Sequence, residues 1–326
     1  MAAHHRLFGP AAVAVIALAG CASSSTSGAP PSAVSTVVPH EARWGIYSLR
    51  LDSGAVTLIY STPDELSGLA LDPAGDRFAF ARKVGGTADA NSEIFSLAAG
   101  GGEPVRLTDN ALLDAYPVWS PDGSRIAYLS MHDTLDIYVM NADGSGSKLL
   151  YDSGGHDADI SWVGDRIAFT RDSRIWTMGA DGKGAKQVTD PPRAGEWGKA
   201  NLPFGDYDPR ISPDGSRIVF ERLVADDSPN GNYDLYAMAA DGSGVTALTN
   251  NGYSQGLAAW SPSGSLIAYI VAAIDGAGAY DIYVMNADGS DNHDATPAWF
   301  PPEFLCHGAT FGPDDATLYF IGEWWS

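Results

Sequence analysis

The chain alternates apolar and polar residues in short runs broken by turn formers, with a period of two rather than the helical 3.6. In VWSPDGSRIAYLS, residues 118–130, the β-formers Val118–Trp119 and Ile126–Tyr128 flank a Ser-Pro-Asp-Gly step. Pro121 presets φ for a tight turn, Asp122 can bond back to nearby amides, and Gly123 accepts a left-handed conformation, so the stretch predicts an antiparallel hairpin. The same phrase returns as ALDPAGDRFAFAR, DISWVGDRIAFTR, RISPDGSRIVFER, AWSPSGSLIAYIV and TFGPDDATLYFIG. The equivalent residues Asp72, Ser120, Ser161, Ser212, Ser261 and Gly312 lie 48, 41, 51, 49 and 51 positions apart. The third copy departs from the pattern, with SWVGD in place of SPDG.

A second phrase alternates with the first: GIYSLRLDSG, EIFSLAAGGG, DIYVMNADGS, RIWTMGADGK, DLYAMAADGS and DIYVMNADGS. Each opens on an aliphatic and an aromatic residue, turns on Gly and leads into another extended run, which predicts a second hairpin. Two hairpins make a four-stranded sheet, and six of each make an all-β, six-bladed β-propeller over residues 44–326. The first hairpin of the chain (44–60) is of the second kind and the last (309–322) is of the first kind. The expected ring is therefore closed by pairing of the N- and C-terminal hairpins. Arg77, Arg125, Arg166 and Arg217 recur at one place in the repeat and Asp136, Asp234 and Asp281 at another. Recurrence in several blades predicts pairing between strands or blades, because a single site needs one copy only.

These alternating phrases resemble the TolB-like six-bladed β-propeller, a WD-like propeller repeat, and the resemblance covers residues 44–322. It implies a binding module, since TolB-like propellers are mostly of that kind. TolB itself carries an additional α/β domain before its propeller, where this sequence has only a polar segment, so TolB's role in the Tol-Pal envelope complex is not carried over. TolB-like blades also resemble those of some metal-dependent sugar-acid lyases and the accessory propellers of serine peptidases, which supplies an enzymatic alternative.

The first twenty residues read differently. A short positive start precedes an apolar stretch too short to cross a bilayer as a stable helix, the layout of a secretion signal. Leu18-Ala19-Gly20-Cys21 resembles the lipobox of bacterial lipoproteins, which implies a diacylated Cys21 as the first mature residue and an extracytoplasmic, membrane-anchored protein at the cell envelope. Residues 21–43, rich in Ser, Thr, Ala, Gly and Pro, cannot offset their ordering entropy by burial and form a disordered tether. Cys306 is then the only other thiol, so no internal disulfide is expected.

The formal charge is −21. Loss of residues 1–20, with one Arg and no acid, makes it one unit more negative. Such a surface repels nucleic acid and anionic headgroups, leaving the lipid as the sole membrane contact, and it favours cations or basic partners; it also keeps a secreted protein soluble.

Propeller topology puts both recurring turns on one face and the links between hairpins on the other. The long links, residues 83–92, 190–208, 223–233, 271–280 and 297–308, mark that second face as the working one. The longest brings Arg193, Trp197, Phe204 and Tyr207 together, and Trp299 and Phe300 enter the last blade; such loop aromatics are binding hot-spot residues, or they fold onto their own blades. At the channel mouth, where innermost strands begin, stand Asp114, Tyr116, His156, Asp157, Asp159, Asp206, Asp208, Arg210, Gln255, Cys306 and His307. Carboxylates converging from three blades would offer oxygen ligands to a divalent cation or a seat for a basic group of a partner; otherwise they cap backbone amides. No tight ligand spacing singles out a metal set, and no other cofactor is expected.

Gly252–Gly256 spells G-x-S-x-G without the strand–helix elbow or the α/β domain that hydrolases need. Cys306 and His307, adjacent on a strand, point to opposite faces. The NADGS turns lack the carboxylate alternation of a calcium loop. The sequence thus predicts a protein-, peptide- or glycan-binding module at the envelope, with a lyase- or hydrolase-like enzyme at the channel mouth as the alternative.

Overall fold

The computed structural model describes residues 43–85, 91–226, 231–273 and 280–324. The expected signal segment, Cys21 and the expected tether as far as residue 42 lie outside the described residues. In chain order the strands begin with β1 (Trp44–Arg50) and β2 (Val56–Thr62). Blade one is β3 (Leu66–Leu71), β4 (Arg77–Lys83), β5 (Ser92–Ala98) and β6 (Val105–Arg106); blade two is β7 (Asp114–Trp119), β8 (Arg125–Met131), β9 (Leu135–Asn141) and β10 (Lys148–Tyr151). Blade three is β11 (Asp157–Val163), β12 (Arg166–Arg171), β13 (Arg174–Gly179) and β14 (Lys186–Gln187); blade four is β15 (Asp206–Ile211), β16 (Arg217–Ala225), β17 (Asn232–Ala239) and β18 (Thr246–Ala247). Blade five is β19 (Tyr253–Trp260), β20 (Leu266–Ala273), β21 (Asp281–Asn286) and β22 (His293–Asp294), and β23 (Phe304–Phe311) and β24 (Thr317–Trp324) end the chain.

Blade six takes strands from both ends, in the order β2-β1-β24-β23. β1 and β24 pair antiparallel without a break from Trp44↔Glu323 to Arg50↔Thr317, so the expected closure is what the chain forms. The recurrent turns form as their residues dictate: Gly123 N–H donates to Ser120 O at 2.8 Å, and the equivalent bonds recur at Gly75, Gly215 and Gly264. In blade three, Gly164 at φ 58° and Asp165 close a two-residue turn between Val163 and Arg166, which is how SWVGD does without SPDG.

The core lies between and within the blades, and it is aromatic at one repeated place. The fourth residue of β4, β8, β12, β16, β20 and β24 is Phe80, Tyr128, Phe169, Phe220, Tyr269 and Phe320, all buried. Five of them face an aromatic ring on the next strand of their sheet, Phe95, Tyr138, Tyr236, Tyr283 and Tyr47, with centroids 5.4–6.1 Å apart. Each such side chain contributes about 1.5–3 kcal/mol on burial, so the stack is a main source of stability in a protein without an internal disulfide among the described residues.

Three of the four recurrent arginines tie blade to blade. Arg77 lies over Trp119 at 4.7 Å, Arg125 over Trp162 at 4.9 Å and Arg217 over Trp260 at 5.5 Å, each pair joining neighbouring blades. Within blades, Thr108, Thr189, Thr249 and Thr296 each accept the backbone N–H of the strand residue fourteen positions earlier, all at 2.9 Å.

Candidate functional site: the channel mouth

Each innermost strand carries a β-bulge at the same place, and each bulge holds a left-handed residue: Gly68 (φ 63°), Tyr116 (51°), Asp159 (54°), Asp208 (48°), Leu257 (54°) and Gly308 (38°). A bulge re-aims the side chains beside it, and here six of them bend the inner strands around the axis. At Gly68 the conformation also meets a close approach, since a Cβ there would lie 2.8 Å from Tyr116 Cα. The strands enclose an axial cavity of about 650 Å³, lined largely by apolar groups such as Trp44, Leu66, Ile160, Leu202, Trp260 and Ile321.

Charged and titratable groups gather around this cavity at two places. The first is an acidic corner between blades three, four and five. Asp159 Oδ2 accepts the Asp208 amide at 3.2 Å, and Asp208 Oδ1 pairs with Arg210 at 2.5 Å. Arg210 also donates from Nε to Ala258 O and from Nη1 to Ile160 O, which ties its guanidinium to the walls. Glu221, from β16, accepts the Leu257 amide at 2.6 Å and lies against Gly256, where a Cβ would stand 2.6 Å from its Oε1. Burial, reinforced by the charge of Asp208, pushes the Glu221 carboxyl well above the ordinary range; burial also raises Asp208, opposed by Arg210.

The second polar place is His307. Its Nε2 lies 3.0 Å from Glu323 Oε2, while Glu323 Oε1 accepts Arg43 Nε and Nη2 at 3.0 and 2.7 Å. The imidazole sits between Trp44 and Tyr280, with centroids 5.2 and 5.5 Å away. This group straddles the seam where the two chain ends meet.

Of the residues expected at the mouth, Tyr116, Asp159, Arg210, Gln255 and His307 line the cavity. Asp208 stands behind Arg210, nearly buried. Asp114, Asp157 and Asp206 do not converge on the axis: all three are fully buried, each turned to its own blade. Asp114 accepts from Ser130 and Asn110, Asp157 from the Ser153 amide, and Asp206 holds Arg222 by two bonds of 2.6 and 2.9 Å. They occupy the first paired position of the inner strand, one residue before the bulge begins, and there the side chain faces strand two rather than the channel. Gln255, at the same register, accepts from Thr249 Oγ1 and donates to the Tyr253 carbonyl. His156 is exposed and accepts the Leu135 amide on Nδ1. Cys306, behind its strand, is buried with a thiol pushed well up by burial. Among the described residues, no group of three or more His, Cys, Asp or Glu side chains is arranged to hold a metal ion.

The loop aromatics divide. Phe204 and Tyr207 are not presented to solvent; with Ala200, Leu223 and Tyr233 they form a small core under the long loop, and Tyr207 donates its hydroxyl to Pro203 O at 2.6 Å. Arg193 lies 3.6 Å over the Phe204 ring and pairs with Glu196, so it clamps the loop. Phe300 packs edge-on against Phe304 at 4.8 Å. Trp197 and Trp299 remain outward, at 68% and 39% exposure. Asn201 and Leu202 of the same long loop reach the cavity wall.

Glu221 is the mouth residue that repeat reading passes over. Its equivalents are Ala81, Leu129, Thr170, Ile270 and Ile321, so its one charge at an otherwise uncharged position is the signal that marks it.

A ring of four-stranded sheets closed by its own ends around an axial cavity defines a six-bladed β-propeller of the TolB-like fold. The chain superposes on a putative TolB from Agrobacterium tumefaciens with a TM-score of 0.68 at 19% identity, over 87% of this chain and 99% of that one. TolB from Acinetobacter baumannii gives a TM-score of 0.60 at 17% identity, over 79% of this chain and 65% of that one. No protein-family model matches the chain. The chain belongs to one family with an uncharacterized protein of Agrobacterium fabrum, to which it is 30% identical over 213 residues, 61% of this chain and 68% of the relative.

Proposed function

We propose that this propeller is a binding module that receives a polypeptide or glycan partner at its channel mouth, and that it does so outside the cytoplasm, held to the envelope by a lipid on Cys21. The observation that carries the reading is the axial cavity of about 650 Å³, apolar in most of its lining and given direction by two separate polar corners. That combination, a concave apolar surface with a few placed polar groups, is how binding sites obtain affinity and orientation together. Outward Trp197 and Trp299 on the long links add contact area on the same face. The signal-like start and the Leu-Ala-Gly-Cys step support the anchored, extracytoplasmic placement.

An enzyme at this mouth is the weaker reading. Its one histidine there, His307, is already tied to Glu323, and Asp114, Asp157 and Asp206 are spent inside their blades.

The test is capture from detergent-solubilised envelope by the full chain and two variants. Leu257→Trp enlarges a partly exposed side chain at the channel bulge, and Leu149→Trp makes the same change on outer strand β10. Partners retained by Leu149→Trp and lost by Leu257→Trp support the reading. Equal capture by both variants contradicts it.

A further inference from the structure

We infer that the channel seats an organic cation, an ammonium or guanidinium carried on an apolar stem, with its charge in the acidic corner of Asp159, Asp208 and Glu221. The inference rests on the channel being the binding site and names the chemistry of its occupant.

Charge accounting at the corner is one-sided. Three carboxyls meet one cation, and every nitrogen of Arg210 is engaged: two serve the Ala258 and Ile160 carbonyls and the third serves Asp208 Oδ1. Asp208 Oδ2 is buried without any donor, on a side chain only 7% exposed. A buried carboxylate oxygen without a donor is costly. Glu221 and Asp159 each accept one backbone amide, which leaves further lone pairs toward the channel, and both line the cavity. A positive group arriving from the channel would meet the lone pairs of Asp159 and Glu221 beside the buried Asp208, in a low-dielectric site where a charge-assisted bond is strongest. The apolar lining fits the stem. An anionic group is repelled by the same corner, and a neutral donor leaves its negative charge uncompensated.

The probe pair is 4-phenylbutylammonium and its neutral counterpart 4-phenylbutan-1-ol, titrated near neutral pH into the detergent-solubilised full chain and followed by calorimetry and by the fluorescence of the cavity tryptophans. The ammonium is expected to bind more tightly than the alcohol by about tenfold or more, and Glu221→Gln to reduce that preference to about threefold or less. Leu149→Trp should leave the preference intact. A second arm compares N-acetylated, C-amidated Leu-Lys-Leu with Leu-Gln-Leu: a lysine preference there assigns the cation to a polypeptide, and its absence beside a preference for the small ammonium assigns it to a free amine. Equal binding of ammonium and alcohol overturns the cation and leaves the channel a binding site. Binding of neither probe overturns it as well, and the envelope capture experiment then decides separately whether the mouth receives a partner.

Discussion

At the residue scale, position within the bulge decides what a side chain can do. Asp159 and Asp157 are two residues apart on one strand, yet the first lines the channel and the second is sealed against strand two. The Asp159 backbone is left-handed, a conformation short polar residues tolerate and larger ones rarely adopt, so Tyr116 and Leu257 at equivalent places carry local strain. Gly68→Ala adds a Cβ against the Tyr116 backbone and should destabilise the fold by about 2–3 kcal/mol in urea unfolding, whereas Gly54→Ala, also left-handed but facing open space, should cost about 1 kcal/mol. Burial pushes Asp157 up to about 7 from 3.8. Between those values the folded state keeps a proton that the unfolded chain has released, so stability falls as pH rises through that window. Asp157→Asn removes this slope. Its thermal midpoint should exceed that of the parent by a few degrees at pH 8, and the difference should close toward pH 4. Glu221 escapes sequence reading because its partners, Gly256 and Leu257, lie on the next blade and no local pattern brings them near.

Hairpins, the element scale, were the most legible part of the chain. A Pro-Asp-Gly turn and a period-two flank are local properties, and six copies of each leave little freedom in how they stack. The pairing expected of the repeated arginines and aspartates holds for some of them, and the partners needed the structure: Arg77, Arg125 and Arg217 reach a tryptophan on the neighbouring blade, and Asp234 accepts the hydroxyl of Thr249, whereas Asp136 bonds Thr134 two residues before it. Arg125→Ala should lower stability by about 0.5–1 kcal/mol through loss of the Trp162 contact. Thr249 does more, since it accepts the Leu235 amide and faces both Asp234 and Gln255. Thr249→Val leaves that amide buried without an acceptor and should cost about 2 kcal/mol, measured as a shift in denaturation midpoint at constant m-value. The long links were the least legible elements. Their aromatics fit either an exposed cluster or a loop folded onto its own blade, and a loop as long as 190–208 needs its own core, which Phe204 and Tyr207 provide.

For the whole molecule, closure and function are the same question. The mouth is assembled from both ends of the chain: Arg43 and Trp44 enter from one side of the seam, His307 and Glu323 from the other, and the cavity wall is continuous only if β1 stays zipped to β24. A ring without an internal disulfide depends on that ladder for its cooperativity. Native-state hydrogen exchange tests it most directly. The account predicts that the amides of β1 and β24 exchange with the same opening free energy as those of β8 in blade two, in one global step. Early exchange of β1, with blade two still protected, would mean that the ring opens on its own and that the mouth described here is not a standing feature of the protein.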